Sequence, residues 1–265
     1  MRNSLMCGAL AALAFASPAF AAEEDEAPIC TDRPAKANAT CTVPVGKWQL
    51  ESSAGGWSRT EAGGAETKVL TLGSSVMKVG LSDRSDLQLG FTPYARIETR
   101  TGGIKSTVSG VGDLTVRYKR RLTAADAPVQ IAAIPFVKLP TADGDIGNGK
   151  VEGGLAMSLS TALGNSTLTL GPEFDLLADS DGDGRHPQLV NLVNIAAPVA
   201  RGLTLAGEIW TATNFDPDGT VTQVSVDAAL AYAVSKDVQL DAGANAGLNK
   251  NTPDAEFYFG VSLRF

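Results

Sequence analysis

The closing stretch Glu256-Phe257-Tyr258-Phe259-Gly260-Val261-Ser262-Leu263-Arg264-Phe265 decides the fold. Phe257, Phe259, Val261, Leu263 and Phe265 fall on one side of an extended chain, and Glu256, Tyr258, Gly260, Ser262 and Arg264 on the other. A period of two marks a β-strand with one apolar and one polar face, because successive side chains point to opposite sides. The preceding run behaves identically: Val238, Leu240, Ala242, Ala244, Ala246 and Leu248 alternate with Gln239, Asp241, Gly243, Asn245 and Gly247. Before it, Val224, Val226, Ala228, Leu230, Tyr232 and Val234 alternate with Gln223, Ser225, Asp227 and small residues. Three amphipathic strands therefore follow one another with short links.

The same pattern extends toward the N-terminus. Leu87, Leu89, Phe91, Pro93 and Ala95 oppose Asp86, Gln88, Gly90, Thr92 and Tyr94; Leu114, Val116 and Tyr118 oppose Asp113, Thr115, Arg117 and Lys119. Leu168, Leu170, Phe174 and Leu176 oppose Thr167, Thr169, Glu173 and Asp175, and Trp48 and Leu50 oppose Gln49 and Glu51. Alternation is poor near 69–79 and 190–197, which are nonetheless read as strands. The reading totals about twelve, an even number. Connections alternate in length. Short turns are expected at 80–84, 123–127, 163–166, 198–202 and 234–237, and longer polar loops at 58–67, 96–109, 140–150, 179–187, 214–220 and 249–254. Short turns at one rim and long loops at the other are the habit of outer-membrane barrels.

The expected fold class is therefore all-β: a transmembrane up-and-down antiparallel barrel. The apolar face is almost free of charge over strands of about ten residues, the length a tilted strand needs to cross a bilayer. Closure satisfies every strand edge, which lipid demands. No run of about 18 apolar residues follows the first 22, which excludes a helical span in the mature chain. Twenty-nine Asp and Glu against 22 Lys and Arg give a net charge of −7, which argues against nucleic acid as a partner. A soluble periplasmic β-barrel that binds a ligand shows the same period and is the alternative.

The chain opens with Arg2, an apolar run from Leu5 to Phe15 and Ala19-Phe20-Ala21, followed by Glu23, Glu24, Asp25 and Glu26. That is a secretory signal cut after Ala21. Residues 1–21 are read as the signal, 22–46 as a periplasmic N-terminal segment and 47–265 as the barrel. Cys7 leaves with the signal, so Cys30 and Cys41 are the cysteines of the mature chain, and an oxidising compartment makes them a disulfide. No C-x-x-C spacing points to redox chemistry.

Several stretches resemble a bacterial outer-membrane β-barrel family of transporters linked to the phenol-degradation meta pathway. They are Leu81-Ser82-Asp83-Arg84, Gly110-Val111-Gly112-Asp113-Leu114 leading into Arg117-Tyr118-Lys119, and Lys138-Leu139-Pro140-Thr141-Ala142-Asp143. Leu240-Asp241-Ala242-Gly243, Gly247-Leu248-Asn249, Pro253-Asp254 and Gly260 to Phe265 also match, so the likeness spans most of the mature chain. Ala142 stands where the family more often has Gly. The resemblance implies a barrel and passage of small molecules, aromatic or apolar ones being the class it points to. Phe265 resembles the terminal aromatic signal by which such barrels meet the outer-membrane assembly machinery. The expected setting is the bacterial outer membrane, with the lipid bilayer and a small-molecule solute as further partners.

Three sets of residues carry possible chemistry. If the alternation holds, Asp113, Arg117, Lys119, Glu173, Asp175, Glu208, Asp227, Asp241, Glu256 and Arg264 point into the lumen, where rings of charge set selectivity. Asp179, Asp181 and Asp183 followed by Gly184 spell the opening of a calcium loop, but Val190 stands where its bidentate Glu belongs. An Asp-Gly turn accounts for the same residues. His186, the single histidine, is the one candidate base for a barrel hydrolase, and no serine follows it closely. The expectation is a protein that is not an enzyme and needs no cofactor. Trp48, Trp57, Tyr94, Tyr118 and Tyr232 are candidates for interfacial girdles.

Overall fold

The computed structural model describes residues 27–265; the secretory signal read at 1–21 lies outside the described residues. Sixteen β-segments follow in order: β1 (Trp48–Ala62), β2 (Ala65–Leu72), β3 (Ser74–Ser82), β4 (Ser85–Phe91), β5 (Tyr94–Thr101), β6 (Ile104–Gly110), β7 (Leu114–Arg121) and β8 (Val129–Leu139). Then come β9 (Glu152–Leu163), β10 (Ser166–Leu170), β11 (Glu173–Ala178), β12 (Arg185–Ala200), β13 (Leu203–Asp216), β14 (Gly219–Ala233), β15 (Val238–Gly247) and β16 (Ala255–Arg264). Four neighbouring pairs, β2/β3, β4/β5, β6/β7 and β10/β11, are each one strand interrupted once, which leaves twelve barrel strands. The interruptions fall at Gly73, Thr92-Pro93, Val111-Gly112-Asp113 and Gly171-Pro172. Proline has no N–H to give the ladder and glycine adds no side-chain packing.

Every pairing is antiparallel between chain neighbours, and β16 closes on β1 from Gln49↔Arg264 to Arg59↔Ala255 with one bulge between Ser53 and Gly55. Trp48 and Phe265 exchange two backbone hydrogen bonds of 2.9 Å at the rim where both ends of the barrel meet. The barrel expected from the alternation is present.

Burial decides between lipid and water outside. Lys78 (1% exposed), Lys119 (1%), Glu51 (2%) and Gln88 (0%) are among the most enclosed large side chains, whereas Phe259 (60%), Ile209 (57%) and Phe257 (54%) face out. A soluble barrel has the reverse arrangement. Such a continuous apolar belt on a closed sheet is what a bilayer covers. No helix among the described residues is long and apolar enough to cross a membrane, so strands do the spanning.

Three expected loops change. The loops expected at 58–67 and 96–109 are strand almost throughout, turning only at Gly63-Gly64 and Gly102-Gly103, where φ is positive at both residues. Two such residues make the tight turn that fits the strand twist. Likewise 214–220 turns within two residues, at Pro217-Asp218. These strand ends carry polar residues on both faces, so the period of two disappears while the strand continues. Poor alternation at 190–197 has the opposite origin: Val190 and Leu192 are buried on the inner face.

Candidate functional site: a plugged, charged lumen

The inner face places all ten predicted lumen residues inside or at its mouths, and residues 29–45 run back into the same space. The loop is closed by the Cys30–Cys41 disulfide. At its lower ends, Ile29 N–H donates to Lys236 O, and Val45 forms a parallel bridge with Gly80. Gly80 is required there: a Cβ would lie 2.0 Å from Pro44 O. Gly260 likewise leaves room for the Arg33 guanidinium, 2.5 Å from where a Cβ would stand. From Cys30 to Val43 the segment before β1 forms a plug within the barrel.

Plug and walls are matched in charge. Asp32 binds Lys119 and Lys78, the latter at 2.6 Å, and its own N–H donates to Glu51. Burial pushes the Asp32 carboxyl up, but Lys119 and Lys78 outweigh it and hold the group well below the usual carboxylate range. Across the lumen, Arg33 forks onto Asp241 (2.6 and 3.2 Å), and Lys36 reaches Asp227 (2.6 Å) and Ser225 (3.0 Å). Lys36 also lies 4.8 Å over the Trp210 ring. Glu208 accepts the N–H groups of Lys36 and Ala37 and the amide of Asn194. Asn38 takes a hydrogen bond from Arg117, and Val43 N–H donates to Asp86.

The remaining predicted residues do other work. Asp113 accepts Ala142 N–H at 2.9 Å and pairs with Lys138, while Val111 and Asp143 bond each other's backbone. Connection 140–151 is thereby docked against the kink between β6 and β7. Asp175 accepts from Gln188 and sits beside Glu173 on β11; Glu256 accepts from Asn245; Arg264 grips Asp237 at the rim. Lys78 and the plug's Asp32, Arg33 and Lys36 escaped the sequence reading, which put Asp86 and Gln49 on polar strand faces without naming them as lumen residues. The one signal available was that Asp32, Arg33 and Lys36 cluster inside the cysteine loop.

Among the described residues no group of three His, Cys, Asp or Glu side chains is arranged to hold a metal ion. Asp179 turns to His186 Nδ1 (2.8 Å), and Asp181 accepts the N–H of Asp183, so the three aspartates do not converge. Ser180 donates to Asp216 and Asp218 rather than to His186.

A family model described as "Putative MetA-pathway of phenol degradation" matches residues 31–265. The chain belongs to that family. The match begins within the plug and runs through the last strand. No curated protein matches. Among solved structures, the COG4313 outer membrane channel from Pseudomonas putida F1 aligns with a TM-score of 0.68 at 17% identity, over 85% of this chain and 98% of that one. The NanC porin aligns at 0.53 and 13% over 81% and 98%, and the β-domain of the Bordetella autotransporter BrkA at 0.55 and 15% over 84% and 100%. At these identities the likeness is one of fold, that of outer-membrane barrels. The outward apolar belt places this chain in the same membrane.

Proposed function

We propose that this family member is an outer-membrane channel for small molecules, narrowed by its own N-terminal plug. The observation that carries the reading is the inverted barrel: an interior of ion pairs and amides within a wall of exposed leucine, valine and phenylalanine. A polar interior of this kind serves conduction, since charged groups along a pore set which solutes enter. The solved channel and porin of the same fold, and the phenol-degradation description of the family, support small and in part aromatic solutes as cargo. No catalytic step is part of the proposal. Phe265, exposed at the end of β16, is its contact for the assembly machinery.

Purified protein in a planar bilayer is expected to conduct small ions. Absence of any conductance in correctly folded protein contradicts the reading.

A further inference from the structure

We propose that the cavity over the plug is a binding site for a small organic carboxylate, seated on Arg117. The inference rests on the channel reading and names a solute class for it. The cavity measures about 370 Å³ and lies between β3, β4, β7 and the plug. That falls within the ~300–1,000 Å³ typical of small-molecule sites.

Charge accounting singles out Arg117. Two carboxylates line the cavity, and both are occupied: Glu51 holds Lys78, Gln49 and the Asp32 N–H, and Asp113 holds Lys138 and the Ala142 N–H. Arg33, the other guanidinium in the lining, is forked onto Asp241. Among the described residues no carboxylate lies within ion-pair distance of Arg117, whose one hydrogen bond goes to Asn38 Oδ1. A guanidinium offers five N–H donors in a planar fork that matches a carboxylate. Most of that fork is uncommitted. A cation entering the cavity finds its carboxylates already engaged, whereas an anion finds a guanidinium with most of its donors unused, its charge felt by Asp32 and Glu173 but paired with neither.

The surroundings fit a carboxylate. Thr115 and Thr92 place hydroxyls in the lining. Because Asn38 belongs to the plug, a carboxylate on Arg117 competes with one of the contacts that seat it. Solute binding and plug position are then coupled, as any ligand shifts an equilibrium toward the state it binds better.

The test uses the full mature chain in detergent, with benzoate as probe and benzamide as its neutral counterpart, measured by calorimetry. Benzoate is expected to bind, benzamide at least tenfold more weakly, and Arg117→Gln to lose at least tenfold in benzoate affinity while Arg117→Lys keeps part of it. Thr115→Phe, which fills the cavity and leaves the charge, is expected to abolish binding. A heat-modifiability gel confirms that each variant is a folded barrel. Equal binding of the two probes, undiminished binding by folded Arg117→Gln, or no benzoate binding by the wild type each overturns the site. Conductance on the same preparation separates the two readings. Protein that conducts but ignores benzoate keeps the channel and loses the site; protein that binds without conducting does the reverse.

Discussion

Two regions of the molecule use the same ion-pair chemistry to different ends. In the lumen, Asp32, Lys78, Lys119 and Glu51 form a cluster in which both lysines are 1% exposed. At the opposite end, the tips of β1, β2, β5 and β6 carry Arg59, Glu66, Lys68, Glu98 and Lys105 in pairs of 2.7–2.9 Å whose cations reach solvent. Distances are alike; surroundings are not. An enclosed pair stripped of one partner leaves a charge with nowhere to go, at a cost of about 3–5 kcal/mol, whereas exposed pairs are screened by solvent. The difference teaches that position, not contact geometry, separates the charges that hold the plug from those that merely decorate a rim.

Lys78→Ala sets the upper end of that comparison. It leaves Glu51 without its lysine and Asp32 with one of two, and is expected to lower stability by about 3–5 kcal/mol, read as a drop in the denaturant midpoint. Cys30→Ser with Cys41→Ser comes next, since the disulfide restricts the loop that carries Asp32, Arg33 and Lys36. A loop of this length is held by about 2–3 kcal/mol. Faster cleavage of the N-terminal segment by added protease, with the barrel intact, is the expected reading. Lys36→Met leaves the enclosed Asp227 carboxylate without its partly exposed ammonium and uncovers the Trp210 face, an effect of about 2 kcal/mol. Tryptophan emission is the signal to follow.

The exposed rim sets the lower end. Arg59→Ala is expected to lower stability by less than about 1 kcal/mol, a barely visible shift of the denaturant midpoint. Hydrogen bonds from Arg59 and Lys68 hold the Glu66 carboxyl down at about 2. Its contribution is complete above the ordinary value of 4.5 and disappears only as pH falls through about 2, so an NMR titration should find Glu66 still ionised at pH 4. Asp32 obeys the same sign with a deeper depression, and the plug should stay seated across pH 8 to 4. A Glu66 midpoint near 4.5 removes the rim pairs from the account.

Legibility from sequence followed burial. Wherever one face met lipid and the other the lumen, as in β14 to β16, the period of two exposed strand, register and inward residues together. Where both faces met water, at 58–67 and 96–109, only the double glycines Gly63-Gly64 and Gly102-Gly103 marked the turn, and the strands were mistaken for loops. Where apolar Val190 and Leu192 turned inward, alternation blurred although the strand is regular. The plug had no periodicity to read. Cys30 and Cys41 located its ends, but its seat depends on pairs such as Arg33–Asp241 and Lys36–Asp227, which sequence separation hides and only closure of the barrel brings together.

Single-channel conductance addresses the plug most directly. Full-length wild type is compared with Asp32→Ala/Arg33→Ala/Lys36→Ala, which keeps the chain length, the disulfide and the barrel while removing the charges that match the walls. The account predicts a several-fold larger and noisier conductance for the triple variant, because the loop loses its hold on Lys78, Lys119, Asp227 and Asp241. Identical conductance in two equally folded barrels would contradict it.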